Sequence, residues 1–566
     1  MIIIGISAYY HDSSACLLKD GVVICAAEEE RFSRIKHDKS FPSKAIAFCL
    51  EYASVAPSQV DYVVFYEKPF RKFERILRTH IENAPAGLLR FTKAMPSWLK
   101  DKLNMRKTIA KKLKKISKDF KSEIRFTSHH QSHAAWCYYQ SGKSESAIVV
   151  VDAVGESMTT SIWKGEGLNI KCIRTQDFPH SIGLLYSAAT YYLGFKVNSD
   201  EYKVMGLAPY CKDVTKSKLY KQLILDNVVT VNNDGLINLN HDFFDYMVGD
   251  TMCKDGKWEK LFGIKRRIPN SEIREEHMAL AYAFQEVTEE VLLNLSATAM
   301  TLANSNNICL AGGVSLNCSA IGKLKKKFGD KNVFVPFAPG DDGAAIGAAQ
   351  IIAASEGQSI SSTNPYLGIE YSDMEIENAI SKYGLTYCKY ENDILNQTIA
   401  DDLSKGLIVG WYTGRMEFGP RALGNRSILA DARKPEMKDK INASVKFRES
   451  FRPFAPIVLK EHAIGLYGTD NSPYMTSVYD CKDIPLCPAV THVDNTARIQ
   501  TVGKEDNKRL YEILTTYYNL TGCPVLLNTS FNVMGEPIVC SPEDAITTFL
   551  NSGIEVLVLN NYVIRK

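Results

Sequence analysis

Apolar residues at the start of the chain fall in short runs broken by turn residues. Ile2 to Ser7 is one run, Ala15 to Leu18 a second and Val22 to Ala27 a third, with Lys19-Asp20-Gly21 between the last two. Runs of this length around an Asp-Gly pair predict antiparallel strands joined by a tight turn. A helix-like stretch, Ser43 to Ala53, precedes a further strand at Tyr62 to Tyr66. The same order begins again at Ala147. Ile148 to Asp152 is a strong β run, followed by Val154-Gly155-Glu156, by Thr159 to Trp163 and by a Lys164-Gly-Glu-Gly turn. Two copies of one opening theme predict two related halves flanking a cleft, in the manner of the ASKHA (actin-like ATPase) fold.

Farther along, a small-residue helix at Gly343 to Ala354 runs into Ser355-Glu-Gly-Gln-Ser-Ile-Ser-Ser-Thr-Asn-Pro365, a polar stretch that reads as a linker. About two hundred residues of mixed α/β pattern follow it, enough for a domain of their own. The division expected is therefore 1–355 and 356–566. A total of 566 residues, 45% hydrophobic and 23% charged, agrees with a globular chain of at least two domains.

Charge changes the picture in one place only. The net charge of +3 gives no global case for nucleic acid. Residues 71–125, however, hold about a dozen more Lys/Arg than Asp/Glu, with a helical stretch at Thr108 to Lys118. An inserted helical excursion with a solvated face explains this; a docking surface for an anionic acceptor or membrane is the sharper alternative. No run is long and apolar enough to span a bilayer. The opening residues read as a strand, not a signal peptide. Fourteen cysteines without a C-x-x-C pair fit a reducing compartment, so a cytoplasmic location is expected.

Candidate chemistry lies in both halves. His129 and His133 are four apart at the start of a small-residue helix, so they project from one face and could share a metal ion. Asp152 and Asp341 each stand where a strand gives way to a Gly-bearing turn, though capping or turn chemistry explains such aspartates equally well. Two His with two Asp suit Fe²⁺, Mn²⁺ or Zn²⁺ better than Ca²⁺ or Mg²⁺. Gly312 and Gly313, ahead of Asn317 at a helix start, suit close approach to a phosphate. Asp200 to Tyr210, with Lys203, reads as a charged loop. In the second half, Gly414 to Ser427 and Lys446 to Pro456 place arginines among Gly, Pro and Phe, a pattern suited to gripping phosphate or carboxylate. Arg498 and the Asn528-Thr-Ser530-Phe-Asn532 segment, the latter just past a strand expected at Pro524 to Leu527, add to it.

These segments in this order resemble the O-carbamoyltransferase family (NodU/CmcH type), over nearly the whole chain. The likeness is carried by Tyr10-His11-Asp12-Ser13, Ala27-Glu-Glu-Glu-Arg-Phe32, His129-x-x-x-His133, Tyr191-Tyr-Leu-Gly-Phe195 and Lys203-Val-Met-Gly-Leu-Ala-Pro-Tyr210. It continues through Gly312-Gly-Val-x-Leu-Asn317, Gly340-Asp-Asp-Gly343, Gly414-Arg-Met-Glu-Phe-Gly-Pro-Arg-Ala-Leu-Gly424, Arg452-Pro-Phe-Ala-Pro456 and Asn528-Thr-Ser-Phe-Asn532. The resemblance implies an N-terminal duplicated ASKHA domain and a C-terminal YrdC-like α/β domain. It implies that carbamoyl phosphate and ATP with Mg²⁺ form carbamoyl-AMP in the second, and that the carbamoyl group passes to an acceptor hydroxyl in the first. His129, His133, Asp152 and Asp341 are the implied holders of an Fe²⁺-like metal, and His11 the implied base. Lys203, Gly312, Gly313 and Asn317 are the implied nucleotide contacts. Arg415, Arg421, Lys446, Arg452, Arg498, Asn528 and Ser530 are implied at the carbamoyl phosphate and ATP site. One departure is Ala153 after Asp152, where the family more often has glycine; an altered turn is expected there.

Three other classes fit parts of the pattern. A sugar kinase would use the same ATP cleft but leaves the arginine segments without a purpose. A tRNA-modifying threonylcarbamoyl transferase lacks a reason for the fused second half, and an ATP-binding regulatory protein lacks one for an intact His/Asp set. The acceptor, a small molecule or glycan hydroxyl, cannot be read from the loops that would shape its pocket.

Overall fold

The computed structural model describes residues 1–88, 91–92 and 104–566. The chain forms two compact units. Met1–Ser7, Ala15–Val23 and Ala53–Ser362 make the first; Ala8–Ser14, Ile24–Tyr52 and Thr363–Lys566 make the second. The division is thus not the sequential one expected at 355/356. The late crossing is at Ser362/Thr363, and two N-terminal segments, one carrying His11, fold with the C-terminal residues. Side-chain bonds within the second unit explain this, such as Glu28 accepting from the Gly419 amide and Arg34 donating to the carbonyls of Pro537 and Ile538.

In the first unit the duplication is explicit. Strands β1 (Ile2–Ser7), β2 (Ser14–Lys19), β3 (Val22–Glu28, which runs on into the second unit), β4 (Tyr62–Phe65) and β5 (Glu123–Phe126) lie in the order β3-β2-β1-β4-β5. Strands β6 (Glu145–Gly155), β7 (Met158–Glu166) and β8 (Asn169–Asp177) open the second copy. After a small hairpin of β9 (Val229–Val231) and β10 (Ile237–Leu239), β11 (Ile308–Ala311) and β12 (Val333–Phe334) complete it, in the order β12-β11-β6-β7-β8. Counted within each copy, the strand order is third, second, first, fourth, fifth both times. The added strands pair in parallel in both, β4 with β1 and β5 with β4, β11 with β6 and β12 with β11. This repeat is the one the sequence pattern led us to expect of an actin-like ATPase fold. Asp20 and Gly21, both at positive φ (51° and 79°), form the tight turn between β2 and β3.

Helix Asp341–Ser355 explains how the first unit packs. Nearly all its residues are buried, and Gly343 and Gly347 remove the side chains that would hold its neighbours off. A Cβ on Gly347 would collide with the Ser132 carbonyl, and one on Gly343 with Trp136 and the Ala338 carbonyl. Helix His129–Ser141 therefore lies at backbone contact distance. Gly5 of β1 does the same service from the sheet side, where a Cβ would meet the Ala345 carbonyl. Asp200 to Tyr210, expected as a loop, is instead the helix Glu201–Leu207 followed by a single 3-10 turn, with Lys203 paired back to Asp200 at 3.2 Å. The basic segment holds helices Pro69–Glu82 and Met105–Ile116; residues 89–90 and 93–103 of it lie outside the described residues. The Met105–Ile116 helix buries Met105, Ile109 and Leu113 on one stripe and turns its lysines outward.

The second unit is built on an eight-stranded mixed sheet. In spatial order its strands are Cys388–Lys389, Tyr562–Arg565, Val556–Leu559, Val409–Tyr412, Arg426–Asp431, Val525–Ser530, Ala455–Leu459 and Gln500–Val502. The central strands are buried on both faces, which their Val/Leu/Ile content allows. Strand Val525–Ser530 runs three residues farther than the sequence suggested, because Leu429 pairs with Asn528 and Ser427 with Ser530. Among the described residues no helix is long and apolar enough to cross a membrane.

Candidate active site

At the carboxyl end of β6 and the start of helices His129–Ser141 and Asp341–Ser355, four side chains converge. His129 Nε2 lies 3.0 Å from Asp152 Oδ2 and 3.6 Å from Asp341 Oδ1. His133 Nε2 lies 3.2 Å from His129 Nε2, 3.3 Å from Asp341 Oδ1 and 3.8 Å from Asp152 Oδ2. Donors about 2.0–2.2 Å from one ion in a tetrahedron sit roughly 3.3–3.6 Å apart. The four atoms fit such an ion, and two imidazoles with two carboxylates suit a transition metal. All four groups are buried or nearly so. Gly155 makes room for them: a Cβ there would strike the His129 ring.

The surroundings fix these groups from behind. Glu156 Oε1 accepts from the His129 amide (3.1 Å) and the Lys68 amide (2.6 Å), anchoring the start of the histidine helix. Tyr66 donates to Asp341 Oδ2 at 3.4 Å. Ser181 caps helix Ile182–Tyr192 and donates to the carbonyls of Asp152 and Ala153. Ala153 is not at positive φ; the pairing of β6 with β7 shifts register between Val151 and Gly155, and the positive φ falls on Glu156, at 53°. Burial alone would lower the His129 pKa, but the carboxylates of Asp341 and Asp152 override it and push it up to about 9. Burial likewise would raise Asp152, and its bond to His129 holds it well below the usual carboxylate range.

The other first-unit residues singled out are arranged as follows. Gly312, at φ 89°, lets its loop lie against β6, where a Cβ would strike the Val151 carbonyl; Gly313 approaches Asp152 itself. Asn317 caps the helix Cys318–Phe328 and exchanges amide bonds with Gln285, so its side chain is committed to structure.

In the second unit the arginines divide into two kinds. Arg415 donates to the carbonyls of Ile24, Leu367 and Gly368 and lies over Tyr52. Arg426 is fully buried, donates to four main-chain carbonyls and lies 3.6 Å over Tyr412. These two build the loop. Arg421 is presented by it: Gly419 before it is held by Glu28 and Arg31, while Glu417 Oε1 accepts the amides of Leu423, Asn425 and Arg426 after it. Asn528 supports the same loop through the Ala422 carbonyl, and Gln500 through that of Leu423. A second group centres on Lys446, whose buried ammonium donates to Ser530 and Asn532. Burial lowers the Lys446 pKa, and the positive charges of Arg448, Arg452 and Lys36 lower it further. Such crowding of cations, with no carboxylate bonded to Lys446 among the described residues, is what an anion would relieve. Arg498 is half-buried and has no hydrogen bond or ion pair among the described residues.

Comparison with known proteins decides what this arrangement belongs to. The family model described as "Carbamoyltransferase N-terminus" matches residues 2–350, and "Carbamoyltransferase C-terminus" matches residues 400–566. The chain belongs to the carbamoyltransferase family.

This carbamoyltransferase is 36% identical over 575 residues to Nodulation protein NolNO of Sinorhizobium fredii, covering 99% of the chain and 80% of that protein. It is 30% identical over 556 residues to Nodulation protein U of Rhizobium tropici, covering 93% and 90%. It is also 45% identical to Uncharacterized protein sll1178 of Synechocystis sp., covering 100% and 96%. A solved structure, the activator of 2-hydroxyisocaproyl-CoA dehydratase from Clostridium difficile, covers 63% of the chain and 97% of its own, at 12% identity and a TM-score of 0.32. The fold description above rests on the sheets themselves.

His11, expected near the acceptor, belongs to the second unit. Its Nδ1 lies 2.9 Å from Asp12 Oδ2, and the other oxygen of Asp12 lies 2.8 Å from His37 Nδ1. Asp12 and His37, like Glu28, Arg31 and Glu417, were not singled out from the sequence. Asp12, Glu28, Arg31 and Glu417 lie in segments that carry the family likeness and His37 lies outside them, but a buried carboxylate that accepts amides leaves no mark of that role in a linear pattern.

Proposed function

We propose that this carbamoyltransferase activates carbamoyl phosphate with ATP at its C-terminal residues and delivers the carbamoyl group to an acceptor hydroxyl at its N-terminal residues, His11 among them. In the activation, water cleaves carbamoyl phosphate to carbamate and phosphate. A carbamate oxygen then attacks the α-phosphorus of ATP, the bond to the β-phosphate breaks, and carbamoyl-AMP and pyrophosphate result. Arg421, Lys446, Arg452 and Arg498, with Ser530 beside Lys446, are the groups we assign to the phosphates, and Mg²⁺ would accompany the nucleotide. Asn528 and Arg415 serve by holding the loop. The YrdC-like character we assign to this unit is part of the same reading.

In the transfer, the acceptor hydroxyl attacks the carbamoyl carbon, its proton passes to His11, and AMP leaves. His129, His133, Asp152 and Asp341 would hold a divalent transition metal, Fe²⁺ in our reading, which supplies Lewis-acid charge beside the adenylate phosphate. Lys203, Gly312 and Gly313 are the groups we assign to the nucleotide in this step. The acceptor is a sugar or natural-product hydroxyl, and the outward lysines of helix Met105–Ile116 favour one that is anionic or presented on an anionic surface. A cytoplasmic location accords with this substrate set.

The observation that carries the reading is the convergence of His129, His133, Asp152 and Asp341 within a chain matched by both carbamoyltransferase models. The test is pyrophosphate release by the purified protein with ATP, Mg²⁺ and carbamoyl phosphate, without acceptor. Release that requires carbamoyl phosphate and survives His133→Ala is expected. Release that ignores carbamoyl phosphate would sink the proposal.

A further inference from the structure

Three residues between Tyr9 and His37 hold strained backbone around one carboxylate. Tyr9, Asp12 and His37 have φ of 76°, 49° and 55°, a region that L side chains adopt at a cost of about 1–3 kcal/mol each. The strain is overcome by a defined set of bonds. Tyr9 N donates to the Lys39 carbonyl and Ser13 N to the Asp38 carbonyl, which ties the two segments side by side. Glu30 Oε2 accepts from the His37 amide at 2.7 Å, and Glu30 Oε1 pairs with Arg31 at 2.7 Å. The result is that Asp12 stands between two imidazoles, with Oδ2 on His11 Nδ1 and Oδ1 on His37 Nδ1. Tyr10 packs against the His11 ring at 4.5 Å between centroids.

We propose that Asp12 and His37 are positioning residues for His11: the carboxylate fixes His11 as its Nδ1–H tautomer, so that Nε2 is the nitrogen that exchanges the proton, and His37 holds the carboxylate in place. This rests on the reading of His11 as the base for the acceptor hydroxyl and deepens it. Free imidazole favours the Nε2–H form, which offers the wrong nitrogen; a carboxylate on Nδ1 reverses that preference and supports the imidazolium as it forms. Asp12 can do this for His11 only if it does not rotate away, and the bond from His37 on its second oxygen prevents rotation. His37 is held in turn by Glu30, and the buried Nε2 of His37 has no partner, which leaves Nδ1 as its bonding nitrogen. Beside the pair stand Glu30, which accepts from the His37 amide, and Arg31, which pairs with Glu30. Both Asp12 oxygens stay occupied by imidazole, so the carboxyl lies well below its ordinary range despite the opposing effect of burial.

Nitrogen-15 spectra of the full-length protein labelled at histidine test this without ATP, carbamoyl phosphate or acceptor, with His11→Gln assigning the signal. Neutral His11 is expected as the Nδ1–H tautomer, and a His11 found as Nε2–H overturns the inference. Asparagine tolerates left-handed backbone, so Asp12→Asn and His37→Asn keep the local fold. Asp12→Asn is expected to lower the proton affinity of His11 about ten-fold. His37→Asn is expected to raise it, by leaving the carboxylate to His11 alone. Opposite shifts separate positioning from general disturbance; shifts of the same sign, or none, overturn it. Failure of carbamoyl phosphate-dependent pyrophosphate release in the wild type would strike the functional reading while leaving the tautomer result standing.

Discussion

The four-residue cluster of the first unit and the arginine segments of the second both present polar groups suited to phosphate chemistry, but they are organised by opposite means. In the cluster all four groups converge on one spot, and two helices at backbone contact distance set the spacing. In the second, cations stand in one segment but do different work. Arg415 and Arg426 spend their donors on main-chain carbonyls, while Arg421 is carried by the loop those bonds build. Residue type alone therefore locates a metal-competent cluster better than it locates an anion site. Imidazoles four apart on a helix have few structural uses in common with carboxylates at strand ends. An arginine has many uses.

The sharpest way to break the comparison is at the cluster. His133→Ala removes one of four convergent atoms, and bound transition metal should fall by more than about 100-fold, beyond the loss typical of an outer partner. Equilibrium dialysis with elemental analysis reads this directly, and retained metal would show that the four atoms do not act as a unit. The next effect separates the two kinds of arginine. Arg421→Ala should cut pyrophosphate release by about 10²–10³-fold, as for loss of a single preorganised donor. Arg415→Ala should instead cost about 1–3 kcal/mol of stability, because it removes a donor from the part-buried carbonyls of Ile24, Leu367 and Gly368, of which Leu367 keeps the Ala26 amide. Thermal melts beside initial rates decide whether the division is real.

The smallest effect concerns Lys446. Its folded pKa is depressed, so the unfolded chain binds more protons, and this group costs stability at neutral pH that is recovered as pH rises toward its ordinary value. An anion seated beside Lys446 should reverse the depression and draw in a proton. Calorimetry of phosphate binding in two buffers of different ionisation enthalpy should show net proton uptake, and Lys446→Met should abolish it.

How far the sequence reveals this molecule follows from the same contrast. The repeated opening was legible because β1 to β3, β6 and β7 contain apolar runs punctuated by turn residues. His129, His133, Asp152 and Asp341 could be named together because His133 follows His129 by one helical turn, Asp341 opens a helix and Asp152 lies near the end of β6. The allegiance of Ala8–Ser14 and Ile24–Tyr52 to the second unit was not, since it depends on contacts such as Glu28 with Gly419, nearly four hundred residues apart. Nor was the extended reach of strand Val525–Ser530: Asn528 and Ser530 look like loop residues until their partners Leu429 and Ser427 are known. Glu417 was hidden for a related reason. A carboxylate that gathers three amides is indistinguishable in sequence from one on the surface.

Gly343 and Gly347 carry none of the chemistry discussed here, yet they decide where Asp341 stands. Any larger residue at either position must push helix Asp341–Ser355 away from helix His129–Ser141 as a body. Loss of metal in a mutant collection should then map to silent-looking glycines as often as to the ligands themselves. In a lineage that changes its acceptor, the loops are free to drift while this seam between two helices is not.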